Sequence, residues 1–151
     1  MTRLALSIDP GGTTGFTAFN VPNGLIDPET YSIHTALEVT FDSRFWFHRF
    51  FVTYCDQIGL IILERFKLFN NTITMQSQIG SEFPSVRIIG IVEAYAHLLN
   101  LHHAIHFQEP NARLSAQIPR EHYKTLGPSN HVRDSYRHWR YYALTHRGQT
   151  L

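Results

Sequence analysis

Leu4-Ala5-Leu6-Ser7-Ile8-Asp9-Pro10-Gly11-Gly12-Thr13-Thr14-Gly15 carries more architectural information than any other stretch of the chain. Positions 4–8 are apolar on both alternating faces except at Ser7, the pattern of a strand buried inside a sheet. The run ends on a carboxylate. An acid where a buried strand stops has lost much of its water and needs a compensating partner. A cation is one such partner, and a second acid in a matching position strengthens that reading. Glu64 supplies it at the end of Leu60-Ile61-Ile62-Leu63.

Working outward, the glycine-rich turn 10–15 leads into a strand from Phe16 to Val21, so the chain opens with a hairpin. Pro22-Asn23-Gly24 is a turn, and 31–40 reads as a third strand. Asp42 or Ser43 can cap a helix that runs to about Ile58, where Gly59 stops it. Its aromatic residues exceed one stripe, which predicts two buried faces. A strand follows over 60–66, then a polar, irregular segment over 67–84 that suits a functional loop. A helix from about Ser85 to Asn100 is apolar nearly all round, with Gly90 and Ala94 offering a place for close helix approach. The strand Ala104–Gln108, a short helix near Asn111–Gln117 and a last helix over about His131–His146, capped by Ser129 or Asn130, complete the order β-β-β-α-β-α-β-α. The hairpin excludes a purely parallel sheet. The later alternation predicts an α/β fold with a mixed sheet and helices on both faces.

The 151 residues, 43% hydrophobic and 17% charged, fit one domain over 1–151 with a real core. No apolar stretch approaches the roughly 18 residues that span a bilayer, so no membrane partner is expected. Asp9 and Pro10 interrupt the N-terminal run too early for a signal peptide. Cys55 is the single cysteine, which predicts a reducing, cytoplasmic setting. Charge is unevenly spread: residues 1–112 hold 6 Lys/Arg against 10 Asp/Glu, and residues 113–151 hold 7 against 2. A basic segment beside acidic strand ends can grip a polyanion while a metal occupies the acids. A solvated helix face is the plainer reading of the same charges.

On the last helix, His131, Asp134 and His138 are spaced three and four apart and project from one face. Asp9, Glu64 and this face meet if the first and fourth strands are central neighbours. Such oxygen donors suit Mg²⁺ or Mn²⁺, and a histidine shifts the preference toward Mn²⁺. In two-metal chemistry the ions sit about 3.5–4 Å apart across the attacking water and the leaving oxygen of a phosphodiester. Zinc has no compact ligand motif here, and His97, His102, His103 and His106 have no metal-ligand spacing. Taken singly, each residue has an ordinary structural role. Asp9-Pro10-Gly11 is a turn, Glu64 a strand-end charge, Asp134 a partner of the helix dipole, and His131 a surface residue. The specificity lies in the combination.

In combination these residues resemble the RuvC-type Holliday junction resolvases of the ribonuclease H-like superfamily, particularly the short phage-encoded members. Ser7-Ile8-Asp9-Pro10-Gly11-Gly12-Thr13-Thr14-Gly15 looks like their first-strand motif, and Ile61-Ile62-Leu63-Glu64-Arg65-Phe66 like the strand ending in the catalytic Glu. Asn70 or Asn71 stands in the following loop, Gly90 and Ala94 in the small-residue helix. His131-Val132-Arg133-Asp134-Ser135-Tyr136-Arg137-His138 is similar to the final helix with its last two ligands three apart. The resemblance covers nearly the whole chain. It implies a ribonuclease H-like fold with a mixed five-stranded sheet, a homodimer, and an endonuclease that cuts Holliday junctions or other branched DNA by paired nicks. By that likeness Asp9, Glu64, His131 and Asp134 are the catalytic and metal-binding residues, holding two Mg²⁺ or Mn²⁺ ions per site. Recombination, replication-fork repair and resolution of branched genomes before packaging are all compatible with the resemblance, in the cytoplasm of a host if the chain is phage-encoded.

His131 stands where many relatives have an Asp, though a His is tolerated there in some. One carboxylate fewer should weaken Mg²⁺ binding, and a His ligand must be deprotonated, so activity should fall toward acid pH. Arg65, Phe66, Lys67, Phe69, Arg113, Arg120, Lys124, Arg133 and Arg137 are the DNA-binding candidates, with Arg140 a further phosphate contact. Other readings compete: a ribonuclease H-like nuclease with another substrate, or a junction-binding protein without catalysis. Gly11-Gly12-Thr13-Thr14-Gly15 after Asp9 also resembles the phosphate loop of actin-like kinases, but those need a second domain that 151 residues cannot hold.

Overall fold

In the computed structural model, which describes residues 2–66 and 83–151, five strands form one sheet in the order β3-β2-β1-β4-β5. The strands are β1 (Arg3–Asp9), β2 (Thr13–Val21), β3 (Ser32–Thr40), β4 (Ile58–Glu64) and β5 (Ile105–Gln108). β1 runs antiparallel to β2 and parallel to β4, so the mixed sheet is as expected from the sequence. From Leu4 to Asp9 the central strand is buried throughout. Its two-sided apolar pattern is the cause, because β1 lies in the middle of the sheet, with a strand on each edge and helices on both faces.

Odd and even positions divide the core. Leu4, Leu6, Ile8, Ile61 and Leu63 face α1 (Phe45–Tyr54) and α2 (Pro84–Leu98). Ala5, Phe19, Leu60 and Ile62 face the last helix, α4 (Asn130–Thr145), through Val132, Tyr136, Trp139 and Ala143. A four-residue helix, α3 (Tyr123–Leu126), closes that second core with Leu126. Helices therefore cover both faces. Among the described residues no helix is long and apolar enough to cross a membrane.

Several boundaries differ from the sequence reading. α1 stops at Tyr54 rather than near Ile58, because Ile58 pairs with Leu4 and Gly59 belongs to β4. Gly59 has a packing role instead: a Cβ there would lie 2.9 Å from the Cβ of Leu151, whose chain end docks against β4 and Gly24. α1 buries one face, Phe47, Phe50 and Phe51, each contributing about 1.5–3 kcal/mol. Phe45 is exposed, with the Arg44 guanidinium 5.1 Å from its ring centre. α2 likewise buries a single stripe, Ile88, Val92 and Ala96, and a Cβ at Gly90 would meet nothing within 4 Å. The short helix expected over 111–117 is a 3-10 turn at Pro110–Ser115. β2 begins at Thr13, which shortens the opening turn; Thr14 Oγ1 closes it by donating to the Gly11 carbonyl at 3.1 Å.

Candidate functional site

Register fixes the first half of the site. Ile8 pairs with Leu63 across β1 and β4, and Leu63 with Phe107 across β4 and β5. One residue further, Asp9 and Glu64 end their strands side by side, and Glu64 pairs with Gln108. Residues in one such row project to one face. Here it is the α4 face, since Asp9 follows Ala5 and Ser7, and Glu64 follows Leu60 and Ile62, in the alternation.

The second half comes from α4, whose first turns are held over the ends of β1 and β2. Ser129 caps the helix by accepting from the Val132 N–H at 3.2 Å. Thr17 Oγ1 and Ser135 Oγ share a buried hydrogen bond of 2.6 Å, and Ser135 also donates to the Val132 carbonyl. Gly15 makes the approach possible. A Cβ at that position would stand 1.9 Å from the His131 carbonyl oxygen, so only glycine lets helix and strand come this close.

The acids and histidines then meet. His131 Nδ1 lies 3.1 Å from Asp9 Oδ2, and His138 Nε2 lies 2.6 Å from Glu64 Oε2. Arg113, on the 3-10 turn, donates from Nη1 to Glu64 Oε2 at 2.8 Å and places Nε 3.2 Å from Asp134 Oδ2. Arg137 Nη1 takes the other Asp134 oxygen at 2.7 Å. Asp9 is the buried member. Desolvation pushes its carboxyl up to about 6, the nearby charges of Glu64 and Asp134 add to the rise, and His131 opposes it. Three acids thus share one field at the C-terminal ends of β1 and β4.

The donor types fit a hard divalent cation: three carboxylates with an imidazole beside Asp9. Asp9, the acid most in need of positive charge, has a partly exposed histidine as its partner. Among the described residues no three His, Cys, Asp or Glu side chains converge closely enough to hold an ion as they stand. Arg113 bridges Glu64 and Asp134.

Around this cluster lie two clefts. One, of about 180 Å³, is lined by Pro10, Glu64, Arg65, Phe66, Ser85 and Arg113. The other, of about 410 Å³, continues past Arg113 to Gln117, Tyr123 and Arg137. Phe66 packs on Phe83, and Arg65 pairs with Glu109 at 3.7 Å. Arg120 and Lys124 are exposed, and Arg133 lies over the Tyr123 ring at 5.2 Å. Arg140 differs from expectation: it donates to the Pro28 carbonyl and lies 3.3 Å from Glu29, tied to the loop before β3. Lys67, Phe69, Asn70 and Asn71 lie outside the described residues.

Sequence reasoning passed over Gln108 and gave His138 no role, yet the fully buried His138 joins Glu64 to the Gln108 amide. For His138 the signal was present, since it shares the helical face of His131 and Asp134; for Gln108 there was none, because its place beside Glu64 is set by the register of β4 and β5.

The fold is the ribonuclease H-like fold in its RuvC form. Among solved structures the chain is similar to RuvC from T. thermophilus, determined in complex with a Holliday junction substrate, with a TM-score of 0.63 and 11% sequence identity over 99% of both chains. No model of a protein family matches the sequence, and no curated protein matches it.

Proposed function

We propose that this protein is a divalent-metal-dependent endonuclease that cuts four-way junctions or other branched DNA by paired nicks, acting as a homodimer. The observation that carries the reading is the placement of Asp9 and Glu64 at adjacent parallel strand ends, facing His131 and Asp134 on the first turns of α4. The likeness to a RuvC solved with a Holliday junction supports the choice of substrate.

Asp9, Glu64, His131 and Asp134 would hold Mg²⁺ or Mn²⁺, which when bound supplies a water of lowered pKa and charge stabilisation at the scissile phosphate. The chain's own residues do the rest. His138 orients Glu64 from the buried side. His131, half exposed, reaches Asp9 from the solvent side. Arg113 and Arg137 offer guanidinium donors to phosphate oxygens beside the acids. Exposed Arg120 and Lys124 add affinity without choosing sequence. Phe66, at the rim of the smaller cleft, presents a ring on which an unpaired base can stack.

The test is a labelled four-way junction incubated with Mg²⁺ or Mn²⁺. Symmetric nicks are expected from the native chain and none from Asp9→Asn, which should still bind the junction. Equal cutting by Asp9→Asn ends the reading. Tight junction binding with no cutting under any divalent metal favours the alternative of a binding protein, for which the Arg113 bridge across Glu64 and Asp134 is the supporting observation.

A further inference from the structure

Arg113 is tied to two of the acids that the function above assigns to the metal. Its side chain is 29% exposed and sits where the two clefts meet, so solvent and ligands reach it. The short turn that carries it is anchored by its own Nη1, which donates to the Pro110 carbonyl at 3.0 Å. A guanidinium stays charged at any working pH and cannot yield by losing a proton. A divalent ion approaching Glu64 and Asp134 therefore meets a fixed positive charge on the oxygens it needs, and the two repel.

A phosphodiester offers that guanidinium two anionic oxygens in place of the one oxygen it now takes from each of two carboxylates. Each acid, moreover, keeps a partner when Arg113 leaves. Glu64 retains His138 at 2.6 Å, Asp134 retains Arg137 at 2.7 Å, and Asp9 with His131 is not involved. Departure thus frees oxygens without stranding a buried charge. Arg137 is a poorer candidate for the same role, since it touches Asp134 alone from the next turn of its own helix.

We propose that Arg113 is an exchangeable internal counter-cation that couples DNA engagement to metal loading. In the DNA-free protein it closes Glu64 and Asp134 to metal. A DNA phosphate draws it away, and the released carboxylates take the ion. The inference rests on the metal-dependent reading above and adds the order in which the site assembles. Linkage makes the effect reciprocal: DNA tightens metal binding by the same factor that metal tightens DNA binding.

The experiment is a Mn²⁺ titration of the full chain without DNA, with free Mn²⁺ read by electron paramagnetic resonance and folding checked by circular dichroism melts. Arg113→Gln and Arg113→Met should each bind Mn²⁺ roughly tenfold more tightly than the native chain, whereas Arg113→Lys, which keeps the charge, should bind as weakly as native. A second arm measures fluorescence anisotropy of a labelled junction with and without Ca²⁺, its intactness checked on a gel. Metal should tighten junction binding by the native chain and leave Arg113→Gln nearly unchanged. Equal Mn²⁺ affinity in native and neutral variants overturns the counter-cation and spares the nuclease reading. Absence of Mn²⁺ binding by every variant into the millimolar range overturns both.

Discussion

His138 holds Glu64 from inside the protein: its fully buried ring places Nε2 2.6 Å from Glu64 Oε2 while Nδ1 is hydrogen-bonded to the side-chain amide of Gln108. Because Gln108 pairs with Glu64 across β4 and β5, the two ends of this bridge are fixed by the sheet and its middle by α4. Glu64 is thereby aimed before any ligand arrives.

Removing the bridge should cost both stability and activity. His138→Ala leaves a cavity and an unsatisfied Gln108 amide, for an expected loss of about 2–4 kcal/mol in urea unfolding. Junction cleavage should fall roughly 10–100-fold, with a raised metal requirement, as for other residues that orient a ligand. Unchanged metal dependence in a folded His138→Ala would reduce the residue to packing.

Asp9 makes the stability of the metal-free protein depend on pH. Its carboxyl is pushed up to about 6 by burial beside Glu64 and Asp134. The stabilising contribution of the protonated form is fully present below the unfolded carboxylate value of about 3.9 and is lost as pH rises through about 6. The native chain should therefore lose on the order of 2–3 kcal/mol over that window relative to Asp9→Asn, which has nothing to ionise there. Mg²⁺ at neutral pH should recover most of the difference. Urea melts of both chains from pH 4 to 8 read this directly, and parallel curves would contradict it.

Gly15 tests whether the site needs α4 at its present distance. Ala at 15 brings a Cβ to within 1.9 Å of the His131 carbonyl oxygen and 2.7 Å of the Val132 nitrogen, both backbone atoms that no rotamer change can move. The helix start must retreat and carry His131 and Asp134 with it. A stability loss of about 3 kcal/mol is expected, with cleavage down roughly 100-fold from misplacement of the ligands. Gly90→Ala is the control: its Cβ meets nothing in α2, and the helix should gain about 1 kcal/mol. Opposite signs for the two variants in thermal melts are the outcome sought.

Much of this was legible because it follows from strand periodicity and helical spacing. Asp9 and Glu64 each close an apolar run, and a run must end where the sheet ends. His131 and Asp134 fall three apart on one helix, so they share a face whatever else the chain does. Partners set by long-range register were harder to read. Nothing local to Gln108 says that it lies beside Glu64 rather than one position off, and a single-residue slip would have turned it to the other face. Arg113 was visible as a candidate phosphate contact, but its hold on two acids depends on the path of the 3-10 turn. The extent of α1 was misread for a related reason: Gly59 looks like a helix terminator until β4 claims it for pairing with β1.

His131→Asp separates the electrostatics of the free site from its capacity for metal. His131 now opposes the rise in the Asp9 carboxyl, and a carboxylate in its place would reinforce it, so the metal-free variant should be less stable at neutral pH by about 1 kcal/mol. The same substitution supplies a further hard oxygen donor, which Mg²⁺ favours over imidazole nitrogen. Mg²⁺ should then bind more tightly and cleavage in Mg²⁺ should rise relative to cleavage in Mn²⁺. Calorimetric titration with each ion, beside cleavage rates in Mg²⁺ and in Mn²⁺ and urea melts of the metal-free chain, checks both halves. Weaker Mg²⁺ binding by a folded His131→Asp would place residue 131 outside the coordination sphere and leave it only its contact with Asp9.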